Sequence, residues 1–198
     1  MTLPAIGGII LSAGASRRMG SPKALLELRG ETFLGRLIDA FLPICHPLIV
    51  VLGYDAERIR AATPAHNAVE FVLNPDPARG MFSSLQCGLR ALPPTAGAAI
   101  FTPVDYAAIR SASVAGLARA YQQFLSPVTL PRHQGEHGHP VCISRLVIDQ
   151  LLALPVTAQA RDVIHAHRSQ TAYLDLDDPG ILSDIDSPED YRRLVALK

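Results

Sequence analysis

Apolar residues in this chain come in short runs, each broken by glycine, proline or a polar cluster. Ala5 to Leu11 and Leu48 to Leu52 are almost continuously apolar, and Val69 to Leu73 and Ala98 to Phe101 are similar. Runs of that length between turn residues predict strands buried on both faces. Between them the spacing becomes helical. Phe33, Leu37, Ile38 and Phe41 recur at three- and four-residue intervals, so Thr32 to Leu42 predicts a helix with one buried face. Ala56 to Ala62, Ser83 to Leu92 and Ser113 to Phe124 read the same way. This alternation points to a mostly parallel sheet with helices on both sides, a three-layer α/β/α arrangement.

The second half is less regular. Val141 to Ile143 predicts a short strand, and Leu146 to Leu154 and Ala160 to His167 predict helices. Ser187-Pro188-Glu189-Asp190 is a helix start: serine caps, proline suits the first turn, and Asp190 holds the capping-box position. No repeat or interdomain linker interrupts the pattern, so a single α/β domain over 1–198 is expected.

Charge narrows the choice of partners. Eighteen Lys and Arg balance eighteen Asp and Glu, so no global field draws the chain to nucleic acid or a membrane. An anion must be held by local placement of charge. The apolar stretch 4–13 falls far short of the roughly 20 residues that span a bilayer, and no basic region precedes it. Three scattered cysteines, Cys45, Cys87 and Cys142, have no metal-ligand spacing and suit small buried thiols. A reducing, cytoplasmic setting is the expectation.

Candidate chemistry concentrates at residues 11–26, LSAGASRRMGSPKALL. An apolar strand runs into a loop with Gly14 and Gly20, flanked by Arg17, Arg18 and Lys23. Glycines let backbone N–H groups approach an anion, and the three cations add charge, which suits a triphosphate at a strand's C-terminal end. The spacing is neither a dinucleotide fingerprint nor a Walker A loop, because Ser21 and Pro22 separate Gly20 from Lys23.

Through Leu11, Ala13, Gly14, Arg18, Met19, Gly20, Lys23 and Leu25, this segment resembles the L-x-[AG]-G-x-x-x-R-M-G-x-x-K-x-L signature of the MobA-like nucleotidyltransferases. Later segments extend the resemblance. Asn74 to Leu85 is similar to the family's N-x-x-x-x-x-G-M-x-x-S-L segment, where Gly80, Ser83 and Ser84 would meet the nucleotide base; Ser83 also suits a helix N-cap. Asp105 matches the first residue of a D-x-P element, although Ala107 stands where the proline would be. Gly138-His139-Pro140 matches a G-H-P element, and Ala160-Arg161 matches the end of G-D-x-G-A-R, with Val156 and Thr157 in place of its Gly-Asp. Asp184-Ile185-Asp186-Ser187-Pro188-Glu189-Asp190 resembles the D-x-D-[ST]-P-E-D ending.

The resemblance implies a Rossmann-like sheet of the nucleotide-diphospho-sugar transferase type and nucleotidyl transfer with Mg2+. Leu11, Ala13, Gly14, Arg18, Lys23, Gly80, Ser83 and Ser84 would bind a nucleoside triphosphate, with Arg18, Lys23 and Asp105 in catalysis. Asp105, Asp184 and Asp186 are the candidate metal ligands, and His139 and Arg161 the candidate acceptor contacts. Ala13, where the other branch has a second glycine, favours CTP over GTP and a molybdopterin-type acceptor. A molybdoenzyme or its chaperone would then be a further partner. His133, His137 and His139 lack zinc-site spacing and suit a solvated or hydrogen-bonding cluster. The alternatives are a sugar-phosphate or other small-acceptor nucleotidyltransferase, and a non-catalytic nucleotide- or cofactor-binding protein.

Overall fold

The computed structural model describes residues 4–196. Two parallel partners flank the first strand. β1 (Ala5–Ser12) lies between β4 (Leu48–Leu52) and β6 (Ala96–Pro103), and β5 (Val69–Leu73) extends the sheet beyond β4. Both faces of β1 and β4 are buried. On the far side of β6 the direction reverses: β9 (Val141–Ser144) runs antiparallel to β6 and to β7 (Val128–His133). β10 (Ala172–Asp175) then pairs parallel with β7, and the short β8 (Glu136–His137) folds back on it. The order is β10-β7-β9-β6-β1-β4-β5, a single α/β domain with a mostly parallel sheet. Two further short strands, β2 (Glu27–Leu28) and β3 (Glu31–Thr32), form a separate hairpin after the glycine-rich loop.

Helices cover both faces, as the alternating pattern predicted. α1 (Phe33–Phe41) and α4 (Ser111–Phe124) pack on one side through Phe33, Leu37, Val114 and Leu117, joined by Leu194 of α7 (Pro188–Ala196) and Ile59 of α2 (Ala56–Ala62). α3 (Met81–Ala91) and α5 (Arg145–Ala153) pack on the other through Leu85, Leu89, Ile148 and Leu151, with α6 (Ala160–Ala166) alongside. Thr32 caps α1 by accepting the Gly35 N–H at 3.1 Å. The capping box is present at α7, where Ser187 N donates to Asp190 Oδ2 at 2.9 Å and Asp190 N to Ser187 Oγ at 3.3 Å.

Three departures from the pattern matter for the site. Helix α3 starts two residues before Ser83, at Met81, and its N-cap is Gly80 with φ of 90°, a backbone conformation open to glycine and strained for other residues. Ser83 therefore lies inside the helix and is not its cap. The second half supplies β7 and β10, which the hydrophobic pattern left unassigned. Among the cysteines, Cys45 and Cys142 are buried while Cys87 keeps partial exposure, and burial pushes the Cys45 thiol up to about 12. Among the described residues, no helix is long and apolar enough to cross a membrane.

A buried acid ties the chain's last third to its middle. Asp178 is 2% exposed and accepts from Arg110 N at 3.0 Å, Ser113 Oγ at 2.5 Å and Gly180 N at 3.0 Å. It fastens the segment leading to Asp184 and Asp186 against the start of α4, just beyond Asp105.

Candidate active site

A cleft of about 440 Å³ opens at the C-terminal ends of β1, β4 and β6, where strand order reverses and α/β sheets hold their ligands. Its rim is the loop after β1. Ser16 shapes that loop, accepting Met19 N through its carbonyl at 2.9 Å and Lys23 N through its hydroxyl at 3.0 Å. A Cβ added to Gly14 would meet nothing within 4 Å, so the space above it is open to a ligand. Leu11, Ala13, Gly14, Arg18 and Lys23 all line the cleft, as do Gly80, Ser84, Asp105 and Asp186.

Lys23 sits at the centre of the charged groups. Its ammonium donates to Asp105 Oδ2 at 2.9 Å and to Asp186 Oδ1 at 2.7 Å. Arg18 reaches the other oxygen of Asp186 at 3.6 Å, with its side chain 74% exposed. Burial by itself would lower the Lys23 pKa, but hydrogen bonds and charge from Asp186 and Asp105 outweigh it and raise the value. The same Lys23 hydrogen bond and charge hold Asp186 below the usual carboxylate range. Asp105 Oδ1 is shielded from solvent and has no hydrogen-bond partner.

The opposite wall is neutral. Asn74, at the end of β5, is 3% exposed, and Ser83 and Ser84 are nearly as buried. Asn74 Nδ2 donates to Ser83 Oγ at 2.9 Å and to Ser84 Oγ at 3.0 Å, and Ser83 Oγ donates to Gly80 O at 2.8 Å. Ser84 lines the cleft and Ser83 does not.

Other candidates stand apart from this centre. Asp184 is exposed and lies towards Tyr106 and His139, whose pKa values register its charge. The His139 ring packs 4.5 Å from Tyr106 and 6.1 Å from Phe101, centroid to centroid. That cover pushes the His139 pKa down to about 4 although the residue keeps some exposed surface, so its imidazole is neutral near pH 7. Burial, with charge from Asp184, Asp105 and Asp186, pushes the Tyr106 hydroxyl up to about 12. His133 bonds Leu176 O through Nδ1 at 2.9 Å. Arg161 on α6 is 74% exposed beside Asp162, outside the cleft lining.

The structure adds Tyr54, Met81 and Asn74 to the site. Tyr54 and Met81 line the cleft, and Asn74 holds its serine wall. Tyr54 follows Gly53, where a Cβ would fall 2.6 Å from Ala13 O; a glycine just beyond an apolar strand was the available signal. Asn74 stood in the N-x-x-x-x-x-G-M-x-x-S-L match but gave no sign of which side chains it would hold.

Residues 8–171 match the family model described as the MobA-like NTP transferase domain. The chain belongs to that family. Its MobA-like relatives include the molybdenum cofactor cytidylyltransferase of Escherichia coli (strain K12), 25% identical over 96% of this chain and 95% of the relative. The nicotine blue oxidoreductase of Paenarthrobacter nicotinovorans is 30% identical, covering 98% of each. Among solved structures, Rv0371c from Mycobacterium tuberculosis H37Rv superposes with a TM-score of 0.86 at 30% identity, over 98% of this chain and 99% of that one. A second structure of Rv0371c is a complex with manganese (TM-score 0.81, 28% identity, 98% and 99% covered). The chain is thus a MobA-like nucleotidyltransferase related to a molybdenum cofactor cytidylyltransferase. One full-length relative bears an oxidoreductase name, so the reaction must be argued from the cleft's own residues.

Proposed function

We propose that the cleft transfers CMP from CTP to a phosphate-bearing acceptor of the molybdopterin type and releases pyrophosphate. The observation that carries this reading is the convergence of Lys23, Asp105 and Asp186 beneath the glycine-rich loop. A cation, two acids and open backbone above Gly14 make a site for a triphosphate and its counter-ion. Ala13 and the cytidylyltransferase relative support CTP and this acceptor class.

The residues fit a divalent metal. Asp105 and Asp186 face one point, shown by the ammonium they share, and Asp105 keeps an unpartnered buried oxygen. Magnesium and manganese take hard oxygen ligands, commonly one or two carboxylates plus substrate oxygens. Asp105 and Asp186 would hold the ion, and it would supply positive charge to the triphosphate and the departing pyrophosphate. Asp184 lies on the acceptor side, near Tyr106 and His139.

The chain's own groups do the rest. An acceptor phosphate oxygen attacks the α-phosphorus, the bond to the bridging α–β oxygen breaks, and pyrophosphate leaves with that electron pair. A phosphate nucleophile is already ionised near neutral pH, so alignment and charge neutralisation dominate. Lys23 turns to the α-phosphate, and Arg18, exposed at the rim, takes the β- and γ-phosphates. Neutral His139 and Tyr106 bound the acceptor side.

The test is pyrophosphate release across four nucleoside triphosphates, each paired with molybdenum cofactor or a simple sugar phosphate. CTP with molybdenum cofactor is the expected productive pair. Turnover with a sugar phosphate would reassign the acceptor. Silence in every pairing would turn attention to the chemistry suggested by the oxidoreductase relative.

A further inference from the structure

The neutral wall contains a hydrogen-bond chain with a fixed direction. Asn74 Oδ1 accepts the Asp76 N–H at 3.0 Å. A backbone N–H donates and never accepts, so this bond determines which end of the carboxamide is oxygen. The two protons of Nδ2 are then committed to Ser83 Oγ and Ser84 Oγ. Ser83 passes its own proton on to Gly80 O, and its bonding is complete.

Ser84 is different. Its oxygen accepts a hydrogen bond from Asn74, and among the described residues it donates none in return. It is also the member of the pair that lines the cleft, 4% exposed beside Gly80 and Met81. A buried hydroxyl with a proton still to give favours a ligand that brings an acceptor to it.

We propose that Asn74 is a positioning residue for base selection. By bonding to Ser84 as a donor, it leaves the Ser84 proton free for an acceptor atom on the nucleotide base. This rests on the reading that the base lies against Gly80 and Ser84, and it deepens the preference for CTP. Cytosine presents two adjacent acceptors on its pairing edge, the ring nitrogen N3 and the carbonyl O2. Guanine presents two adjacent donors and a single acceptor. A wall that offers a proton suits the first edge better. Asn74 contacts no substrate itself and acts through Ser84.

The discriminating substitution is Asn74→Asp. A carboxylate accepts at both oxygens, so Ser84 must turn its proton towards residue 74 and present lone pairs to the cleft. Binding of CTP and of inorganic tripolyphosphate, each with magnesium, is measured by titration calorimetry for the wild type, Asn74→Asp, Ser84→Ala and the double variant. Tripolyphosphate has no base, so it reports the phosphate loop and an intact fold. CTP affinity should drop about five- to tenfold in each single variant, the scale of one neutral hydrogen bond. The double variant should lose no more than either single, because both act through one hydroxyl. Tripolyphosphate binding should stay within about twofold throughout. Asn74→Ala, which brings no charge into the wall, should weaken CTP by less than Asn74→Asp and leave tripolyphosphate unchanged, which guards against a folding defect specific to the aspartate.

If Ser84→Ala weakens CTP but Asn74→Asp does not, or if the two losses add, the positioning role is overturned while the base placement stands. Parallel loss of CTP and tripolyphosphate in both Asn74 variants would make Asn74 a structural residue and overturn the proposal. If Ser84→Ala binds CTP as the wild type does, the base does not lie on this wall, and the reading beneath the proposal fails with it.

Discussion

The two walls of the cleft are built on opposite principles. The phosphate wall is charged and partly open: Lys23 is nearly buried, but Asp186 and Arg18 have side chains 48% and 74% exposed. The proposed base wall is neutral, buried and cross-bonded through Asn74, Ser83, Ser84 and Gly80. Charge acts over distance and tolerates rearrangement, which a site must have if Lys23 is to leave two carboxylates for a phosphate. Neutral hydrogen bonds act over a narrow range of distance and angle and reward fixed geometry. On the proposed reading, the comparison teaches that affinity for the triphosphate and choice of base should be separable.

The sharpest break should come at Asp105. Asp105→Asn preserves size but removes the carboxylate charge, and pyrophosphate release should fall on the order of a thousandfold, the upper range for losing one charge-stabilising group. Without ligand its melting temperature should be little changed, whereas the added stability conferred by magnesium and CTP should disappear. A variant that turns over normally would remove Asp105 from the reaction.

Lys23→Ala should cost less, on the order of a hundredfold in turnover, with a smaller effect on CTP affinity because the contact strengthens as charge develops. Equal losses in binding and turnover would make Lys23 a simple ground-state contact. Smaller still, Asp186→Asn should weaken manganese binding about tenfold, a loss of roughly 1.4 kcal/mol. Asp184→Asn, on the exposed acceptor side, should leave it within about twofold. Electron paramagnetic resonance titration of manganese separates them. A larger effect at Asp184 would reverse the assignment.

The last effect expected is on acid stability and need not touch turnover. His139 has a folded pKa of about 4 against an ordinary 6.5, so in that window the unfolded chain binds a proton that the folded chain refuses. Stability should therefore decline as pH falls from 6.5 towards 4, and His139→Phe should flatten that decline in thermal melts. Asp186 acts lower down. Its depressed folded pKa gives stability that is present above the ordinary 3.8 and lost as pH falls through the depressed value. Asp186→Asn should thus alter only the more acidic limb.

How much of this could be read in advance depended on how local each feature is. The strands β1, β4 and β5 and the helices around them were legible because a buried run or an apolar stripe needs no distant partner to announce itself. The capping box at Ser187 and Asp190 is local as well. β7 was not legible, because Pro131 and the polar residues beside it depress strand propensity, and only pairing with β9 and β10 makes the segment a strand. The start of α3 was misread because serine is the commoner cap. Gly80 takes that position, and Ser83 folds back onto its carbonyl. The glycine-rich loop was evident from spacing, but a lysine between two acids 81 positions apart is a tertiary fact. Asn74 was visible as a letter in a motif, and its orientation became visible only through Asp76.

Asp178 also belongs to the last part of the site to be synthesised. A chain made from its N-terminus has the glycine-rich loop, Lys23 and Asp105 long before Asp186 is synthesised. Asp178, through Arg110, Ser113 and Gly180, acts together with Ile185 and Leu194 in the core and with the Lys23 contact to hold the last acid over the lysine. The sheet and most of the cleft can therefore form first, and the charge balance of the centre is settled by the arrival of the tail. A tail that adds Ile181, Ile185 and Leu194 to the core also carries the last acid of the charged centre.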